Sequence, residues 1–317
     1  MTRPLILTDA GMETALIFHQ GVDLPCFAAF PLVETEDGRR ALRDYFRPFL
    51  DLARDRGLPF LLDAPTWRAN PDWGRELGYD LEGIAAVNRG AVAFVDDLRH
   101  EELAAGSPAI LVEALVGPRG DGYAPDSMMS AQEAEAYHAV QLEALADTAA
   151  DRVAAMTIAD ADEAVGIVRA AAAVGLPITV GLTLETDGRL PSGQPLGDAV
   201  EQIDRETDGA AAGFMLNCAH PAHFAGILAA GGGWRDRIGA VRANASMLSH
   251  AELDAAEELD DGDPADLAAR YLGLRDLLPG LEVVGGCCGT DVRHVSAIAD
   301  AWLRDPSARR GSRFPRR

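Results

Sequence analysis

The feature that most limits how this 317-residue chain can fold is a regular alternation of short apolar runs with longer amphipathic segments. The runs are rich in β-branched residues, as buried strands are, and the segments between them have helical periodicity. This alternation is typical of a parallel sheet covered by helices. It predicts eight strands, at Leu5–Asp9, Phe60–Asp63, Ala109–Val116, Arg152–Ile158, Pro177–Thr183, Gly213–Cys218, Ile238–Asn244 and Leu281–Gly285.

Capping residues support several of the predicted helices. Ser130 with Glu133 three residues later predicts a capping box, and Gly175 predicts a helix end. Asp263 before Pro264 predicts a capped first turn. The predicted helices are Arg39–Arg56, Asp80–Glu102, Ala131–Ala150, Asp162–Val174, Leu196–Glu206, Asp266–Leu278 and Val292–Arg304.

Eight strands alternating with helices favour a particular α/β fold. We expect a single-domain (β/α)8 TIM barrel over residues 1–304, in preference to an open doubly wound sheet. Residues 305–317 hold five arginines and predict a disordered tail. In a barrel of this kind, functional groups lie at the carboxyl ends of the strands.

Composition excludes several classes of function. All 28 basic residues are Arg, so Schiff-base chemistry, pyridoxal phosphate enzymes and Walker-type phosphate loops, which need a lysine, are excluded. The net charge of −22 argues against nucleic acid and anionic membrane surfaces as partners. No apolar run reaches the roughly 18 residues of a membrane span. With four cysteines and no signal-peptide pattern, we expect a cytoplasmic protein.

Three cysteines follow two of the predicted strands. Cys218 ends the sixth strand, and Cys287 and Cys288 follow the eighth within a Gly-Gly-Cys-Cys-Gly run. The three thiols therefore share one rim of the barrel, where they predict a zinc site with an open fourth position. A redox-active vicinal disulfide and inert buried thiols are the alternatives. His220 is interpreted as a helix-start residue rather than a fourth ligand, and Cys26 as structural.

The same segments resemble a known family. Asn217-Cys218-Ala219-His220 and Gly285-Gly286-Cys287-Cys288-Gly289-Thr290 are similar to the zinc motifs of the homocysteine S-methyltransferases. The resemblance extends from about residue 5 to residue 304. The supporting segments are Leu7–Thr14, Thr66–Asn70, Val116–Pro118 and the loop at Ser192–Gly193.

The resemblance implies a zinc-dependent transfer of a methyl group to the zinc-bound thiolate of homocysteine, giving methionine. The donor would be a small activated molecule, namely S-methylmethionine, S-adenosylmethionine or betaine. The metal ligands would be Cys218, Cys287 and Cys288, with no separate catalytic acid or base. The substrate-binding residues would be Asp9, Gly11, Met12, Asp63, Thr66, Asn217 and Asn244, of which Asp9 meets the ammonium group of homocysteine.

The chain departs from the family pattern at the amino-acid subsite. Ala10 and Glu13 replace family glycines, and Met156 stands where the family has a second ammonium-binding Glu. Asp63 or Glu185 could supply the missing charge. Another thiol or selenol acceptor, or a non-catalytic zinc- or thiol-binding relative, therefore remains as an alternative. A zinc hydrolase is disfavoured, because three thiolates weaken the metal as a Lewis acid. The sequence predicts no oligomeric state.

Overall fold

The computed structural model describes residues 5–122, 128–256 and 258–304, and the predicted tail at 305–317 lies outside them. Eight parallel strands form a closed barrel in sequence order, which confirms the predicted (β/α)8 fold. The strands are β1 (Ile6–Leu7), β2 (Phe60–Ala64), β3 (Ile110–Val116), β4 (Arg152–Ile158), β5 (Ile178–Leu182), β6 (Gly213–Asn217), β7 (Ile238–Ala243) and β8 (Val283–Gly286).

Helices cover the outside of the barrel. Within the described residues, the seven predicted helices are present, together with four shorter α-helices that the sequence pattern did not indicate. The helices are α1 (Met12–Phe18), α2 (Glu36–Arg56), α3 (Pro71–Glu76), α4 (Leu81–Ala104), α5 (Ala131–Ala146), α6 (Ala161–Ala173), α7 (Leu196–Glu206), α8 (Pro221–Ala230), α9 (His250–Asp254), α10 (Pro264–Leu277) and α11 (Val292–Arg304). In the described ranges, no helix is both long and apolar enough to cross a membrane.

The predicted caps are confirmed. Ser130 and Glu133 form the reciprocal capping box that begins α5. The Asp263 side chain accepts a hydrogen bond from a backbone amide in the first turn of α10, where Pro264 is the first helical residue. Gly175 follows the end of α6 with a φ of 73°. These residues satisfy backbone groups at the helix ends that have no partner within the helix.

Alternation along the strands separates two apolar layers. On β2, Phe60 and Leu62 pack against the outer helices, whereas Leu61 points into the barrel. The interior layer consists of Leu61, Leu115, Ala154, Met156, Met215, Ala240 and Val283. Continuing the same period of two places Asp63 above Leu61 and Arg242 above Ala240. The apolar interior therefore ends in a charged layer near the carboxyl ends of the strands.

Candidate active site

The three predicted metal ligands lie together at the carboxyl end of the barrel. The Sγ atom of Cys218 lies 3.1 Å from that of Cys287 and 3.5 Å from that of Cys288. All three Sγ atoms lie within 4.8 Å of one another, and none is in a disulfide. We call these three residues the thiol cluster.

Backbone geometry fixes the thiol cluster. Cys218 has a φ of 55°, a left-handed conformation that is uncommon for residues other than glycine and is retained where the surrounding structure enforces it. Gly286 allows the Thr290 side chain to pack closely, because a Cβ atom there would lie 1.9 Å from Thr290 Oγ1. The Thr290 hydroxyl donates to the carbonyl oxygen of Cys287 at 2.7 Å. The Thr290 side chain therefore holds the turn that presents the two vicinal cysteines.

The thiol cluster fits a tetrahedral metal ion with one open position. Bonds of about 2.3 Å from zinc to sulfur require sulfur atoms about 3.8 Å apart, so the cluster, with separations of 3.1 and 3.5 Å, would have to widen slightly around the ion. The hydrogen bond with Cys218, together with burial, raises the pKa of Cys287 to about 12. Three crowded thiols ionise together only when a cation compensates their charge. No fourth Cys, His, Asp or Glu joins the cluster within the described residues.

Neither nearby histidine is placed as a fourth ligand. His220 caps α8, where its Nδ1 accepts a hydrogen bond from the amide of Ala222 at 3.2 Å, as expected for a helix-start residue. The Nε2 atom of His250 lies 2.7 Å from the carbonyl oxygen of Cys218, and its Nδ1 lies 3.2 Å from Glu185. His250 thus supports the backbone of a thiol residue.

A cavity of about 440 Å³ opens over the thiol cluster. It brings together most of the residues that the sequence predicts to bind substrate. The predicted residues that line it are Asp9, Gly11, Met12, Asp63 and Asn244, together with the three cysteines. The Oδ1 atom of Asn244 is buried and has no hydrogen-bond partner among the described residues. Asn244 therefore presents an unused polar group at this cavity.

Two predicted substrate contacts do not line this cavity. The Thr66 hydroxyl donates to the carbonyl oxygen of Leu115 at 2.7 Å and accepts from its amide at 2.8 Å. The Asn217 side chain is hydrogen-bonded to the backbone amide and the hydroxyl of Thr157, at 3.0 and 2.9 Å. Thr157 has a φ of 65°, so Asn217 holds a strained residue that itself lines the cavity. Thr66 and Asn217 thus position their neighbours.

A buried guanidinium dominates the electrostatics of the cavity. Arg242 donates to both Asp9 and Asp63, and these three side chains are at most 4% exposed. The second oxygen of Asp9 accepts from the Tyr45 hydroxyl at 3.1 Å. Burial lowers the pKa of Arg242, but Asp63 and Asp9 outweigh it and raise that pKa well above its usual value. Burial also raises the pKa of Asp9, despite the opposing effect of Arg242.

This pairing changes the expectation for the ammonium subsite. Asp9 has both oxygens occupied by Arg242 and Tyr45, and one oxygen of Asp63 is occupied by Arg242. Glu185, the other expected replacement for the missing charge, contacts His250 and does not line the cavity. Met156 does line it, with its sulfur 4.0 Å from an Arg242 nitrogen. The carboxylates expected to replace the missing Glu are thus already engaged, wholly or in part.

Glu13 lies in the first turn of α1, and its half-buried side chain lines the same cavity. Burial raises the pKa of its carboxyl group to about 7. Sequence reasoning noted this residue only as a departure from the family pattern.

No role was predicted for Arg242, although the sequence contains a sign that it is buried and paired. It is the one charged residue in the apolar run Ile238–Ala243, and a charge in a buried strand requires a partner. The residue that completes the charged layer could therefore have been suspected from the sequence. Its pairing with Asp9 and Asp63 could not have been predicted, because Asp9 follows β1 and Asp63 lies on β2, which are both distant from β7 in the chain.

Comparisons with known proteins identify the family to which the chain belongs. A family model described as homocysteine S-methyltransferase matches residues 6–302. The crystal structure of the homocysteine methyltransferase MmuM from Escherichia coli in its metallated form matches with a TM-score of 0.72 and 22% identity, over 94% of this chain and 96% of that chain. The oxidised form matches with a TM-score of 0.74 and 21% identity over the same shares. A search of curated proteins finds no match. The likeness to MmuM is one of fold, but the family model spans the whole barrel and includes all three thiols, so the chain belongs to the homocysteine S-methyltransferase family and is a methyltransferase.

Proposed function

We propose that this protein is a zinc-dependent methyltransferase that converts homocysteine to methionine. The observation that carries the proposal is the thiol cluster of Cys218, Cys287 and Cys288 at the floor of a cavity of about 440 Å³. Three sulfur ligands with one open position are typical of a zinc site that accepts a substrate thiol. A cytoplasmic location, which the sequence leads us to expect, would keep such thiols reduced.

Zinc bound to the cluster would supply a position at which the thiol of the acceptor loses its proton near neutral pH. The chain's own residues then have to hold the two substrates in line. The walls of the cavity include Met156 and Trp67, and the indole nitrogen of Trp67 is fixed by a 3.0 Å hydrogen bond to the carbonyl oxygen of Met156. A fixed wall of this kind restricts the approach of the methyl donor, which is how oriented binding lowers a barrier.

The transfer itself needs no proton donor on the protein. The acceptor sulfur forms a bond to the methyl carbon while the bond from that carbon to the donor's positive sulfur or nitrogen breaks. The electron pair leaves with the donor, which becomes a neutral sulfide or amine. S-Methylmethionine, S-adenosylmethionine and betaine all meet this requirement.

The test is a methionine-formation assay on reduced, zinc-loaded protein. Homocysteine is supplied with each of the three donors carrying an isotopically labelled methyl group, and the product is identified by mass spectrometry. The proposal expects labelled methionine with at least one donor, and loss of product in the Cys287→Ser variant. No methionine with any donor, from protein that holds one zinc ion per chain, would refute it in favour of another thiol or selenol acceptor or a binding-only protein.

A further inference from the structure

Carboxylates near the thiol cluster differ in whether their charge is compensated. Asp9 follows β1, Asp63 lies on β2 and Glu13 lies on α1. All three residues line the cavity. Arg242 pairs with Asp9 and Asp63. The guanidinium offsets one of the two negative charges, and with Tyr45 it occupies every carboxylate oxygen of this pair except Oδ1 of Asp63. The subsite that the family pattern would give to an ammonium group is thus largely filled by the protein's own cation.

Glu13 is in a different situation. Its carboxylate accepts a hydrogen bond from its own backbone amide, and it interacts through space with Cys287 and, more weakly, with the guanidinium groups of Arg68 and Arg242. Within the described residues it has no ion pair and no hydrogen bond to another side chain. The side chain is half-buried and faces a cavity, where an unpaired carboxylate attracts a cation more strongly than it would in open water. Glu13 is therefore a cation-binding group close to the thiol cluster.

We infer that Glu13 binds the ammonium group of the amino-acid acceptor and so determines the choice of acceptor, in place of Asp9. This inference rests on the proposed function. Asn244 also lines the cavity, and its Oδ1 atom, which has no hydrogen-bond partner among the described residues, is available to accept a second hydrogen bond from the same ammonium group.

The acceptor's ammonium suits Glu13 better than the cationic centre of the donor. The donor loses its positive charge as the methyl group leaves, so a carboxylate beside that centre would stabilise the ground state more than the transition state and slow the transfer. The ammonium of the acceptor keeps its charge throughout the reaction. A carboxylate that binds it contributes affinity and orientation without opposing the chemistry.

The test compares three thiols by calorimetric titration of zinc-loaded protein. L-Homocysteine carries both charged groups, 4-mercaptobutyrate lacks the ammonium, and 3-aminopropanethiol lacks the carboxylate. A hydrogen bond between charged groups predicts that Glu13→Gln weakens binding of the two amines by about 10- to 100-fold, while binding of 4-mercaptobutyrate is unchanged. The KM for homocysteine should rise in parallel, with kcat unchanged.

Two further variants complete the design. Glu13→Asp retains the charge and should recover part of the lost affinity for the amines. Glu36→Gln makes the same change in the first turn of α2, at an exposed position outside the cavity, and should have no effect. An equal loss for all three thiols, or no loss for any, would overturn the inference while leaving the proposed function intact. Wild-type protein that binds none of the three thiols would instead refute the proposed function, and the inference with it.

Discussion

The buried network of Arg242, Asp9 and Asp63 makes a strong prediction about stability. Arg242→Met removes the guanidinium and leaves two carboxylates that are each only 1% exposed. Removing one partner of a buried ion pair typically costs about 3–5 kcal/mol, because the remaining charge loses both its partner and its solvation. We therefore expect the free energy of unfolding of Arg242→Met to fall by about 3–5 kcal/mol at about pH 8.

The loss should depend on pH in a defined direction. Without Arg242, burial raises the pKa of Asp9 in the folded state above its unfolded value, with no guanidinium to oppose the shift. The folded variant then binds protons that the unfolded chain releases, so its stability is greatest in acid and is lost as the pH rises. The difference in the free energy of unfolding between the variant and the wild type should therefore become smaller towards about pH 5.

Urea denaturation followed by circular dichroism at several pH values measures this effect. The control is Arg56→Met, which breaks an ion pair with Asp300 that is about one-third exposed, and should cost less than about 1 kcal/mol. Adding Asp9→Asn and Asp63→Asn to Arg242→Met should recover much of the loss and remove its pH dependence. If Arg242→Met lowers the free energy of unfolding no more than Arg56→Met does, this interpretation of the network is refuted.

Three other predictions follow from the site and the barrel. Serine at Cys218, Cys287 or Cys288 should sharply lower the zinc content measured by atomic emission, whereas Cys26→Ser should not; equal zinc in all four variants would contradict the assigned ligands. Activity should be lost on exposure to peroxide and recovered only with reductant and zinc, since oxidised thiols release the metal; full activity after peroxide alone would oppose this. Burial raises the pKa of Glu113 from 4.5 to about 7, so its protonation stabilises the folded state at low pH. Glu113→Gln should therefore reduce the fall in stability between pH 4.5 and pH 7 by about 3 kcal/mol, while Glu13 and Asp9, whose pKa values are also raised, continue to contribute; an unchanged slope in the variant would exclude Glu113 as a source.

The barrel and the thiol cluster were predictable because both follow from patterns that are local to each strand and its carboxyl end. Strand–helix alternation determines that the ends of β6 and β8 share one rim, and the glycines around Cys287 and Cys288 indicate a tight turn there. A pair of vicinal cysteines in that setting then needs only Cys218 on a nearby strand end to form a metal site. The structure places the three sulfur atoms together as this argument expects.

The charged layer was not predictable in the same way. Asp9, Asp63 and Arg242 are separated by 54 residues or more along the chain, and their pairing depends on which side chains meet across the barrel interior. A family pattern assigned Asp9 to the substrate ammonium, but it could not show that Arg242 already occupies that carboxylate. Thr66 and Asn217 were predicted to bind substrate, but they do not line the cavity, and their hydrogen bonds hold the backbone of Leu115 and Thr157, which do.

X-ray absorption at the zinc edge tests the central claim most directly, because it counts the sulfur atoms bound to the metal. For zinc-loaded protein without acceptor, the account predicts three sulfur ligands at about 2.3 Å and one lighter atom. Adding homocysteine should replace the lighter atom with a fourth sulfur. A sulfur count that stays at three when homocysteine is saturating would contradict the account, because the acceptor thiol would then not bind at the thiol cluster.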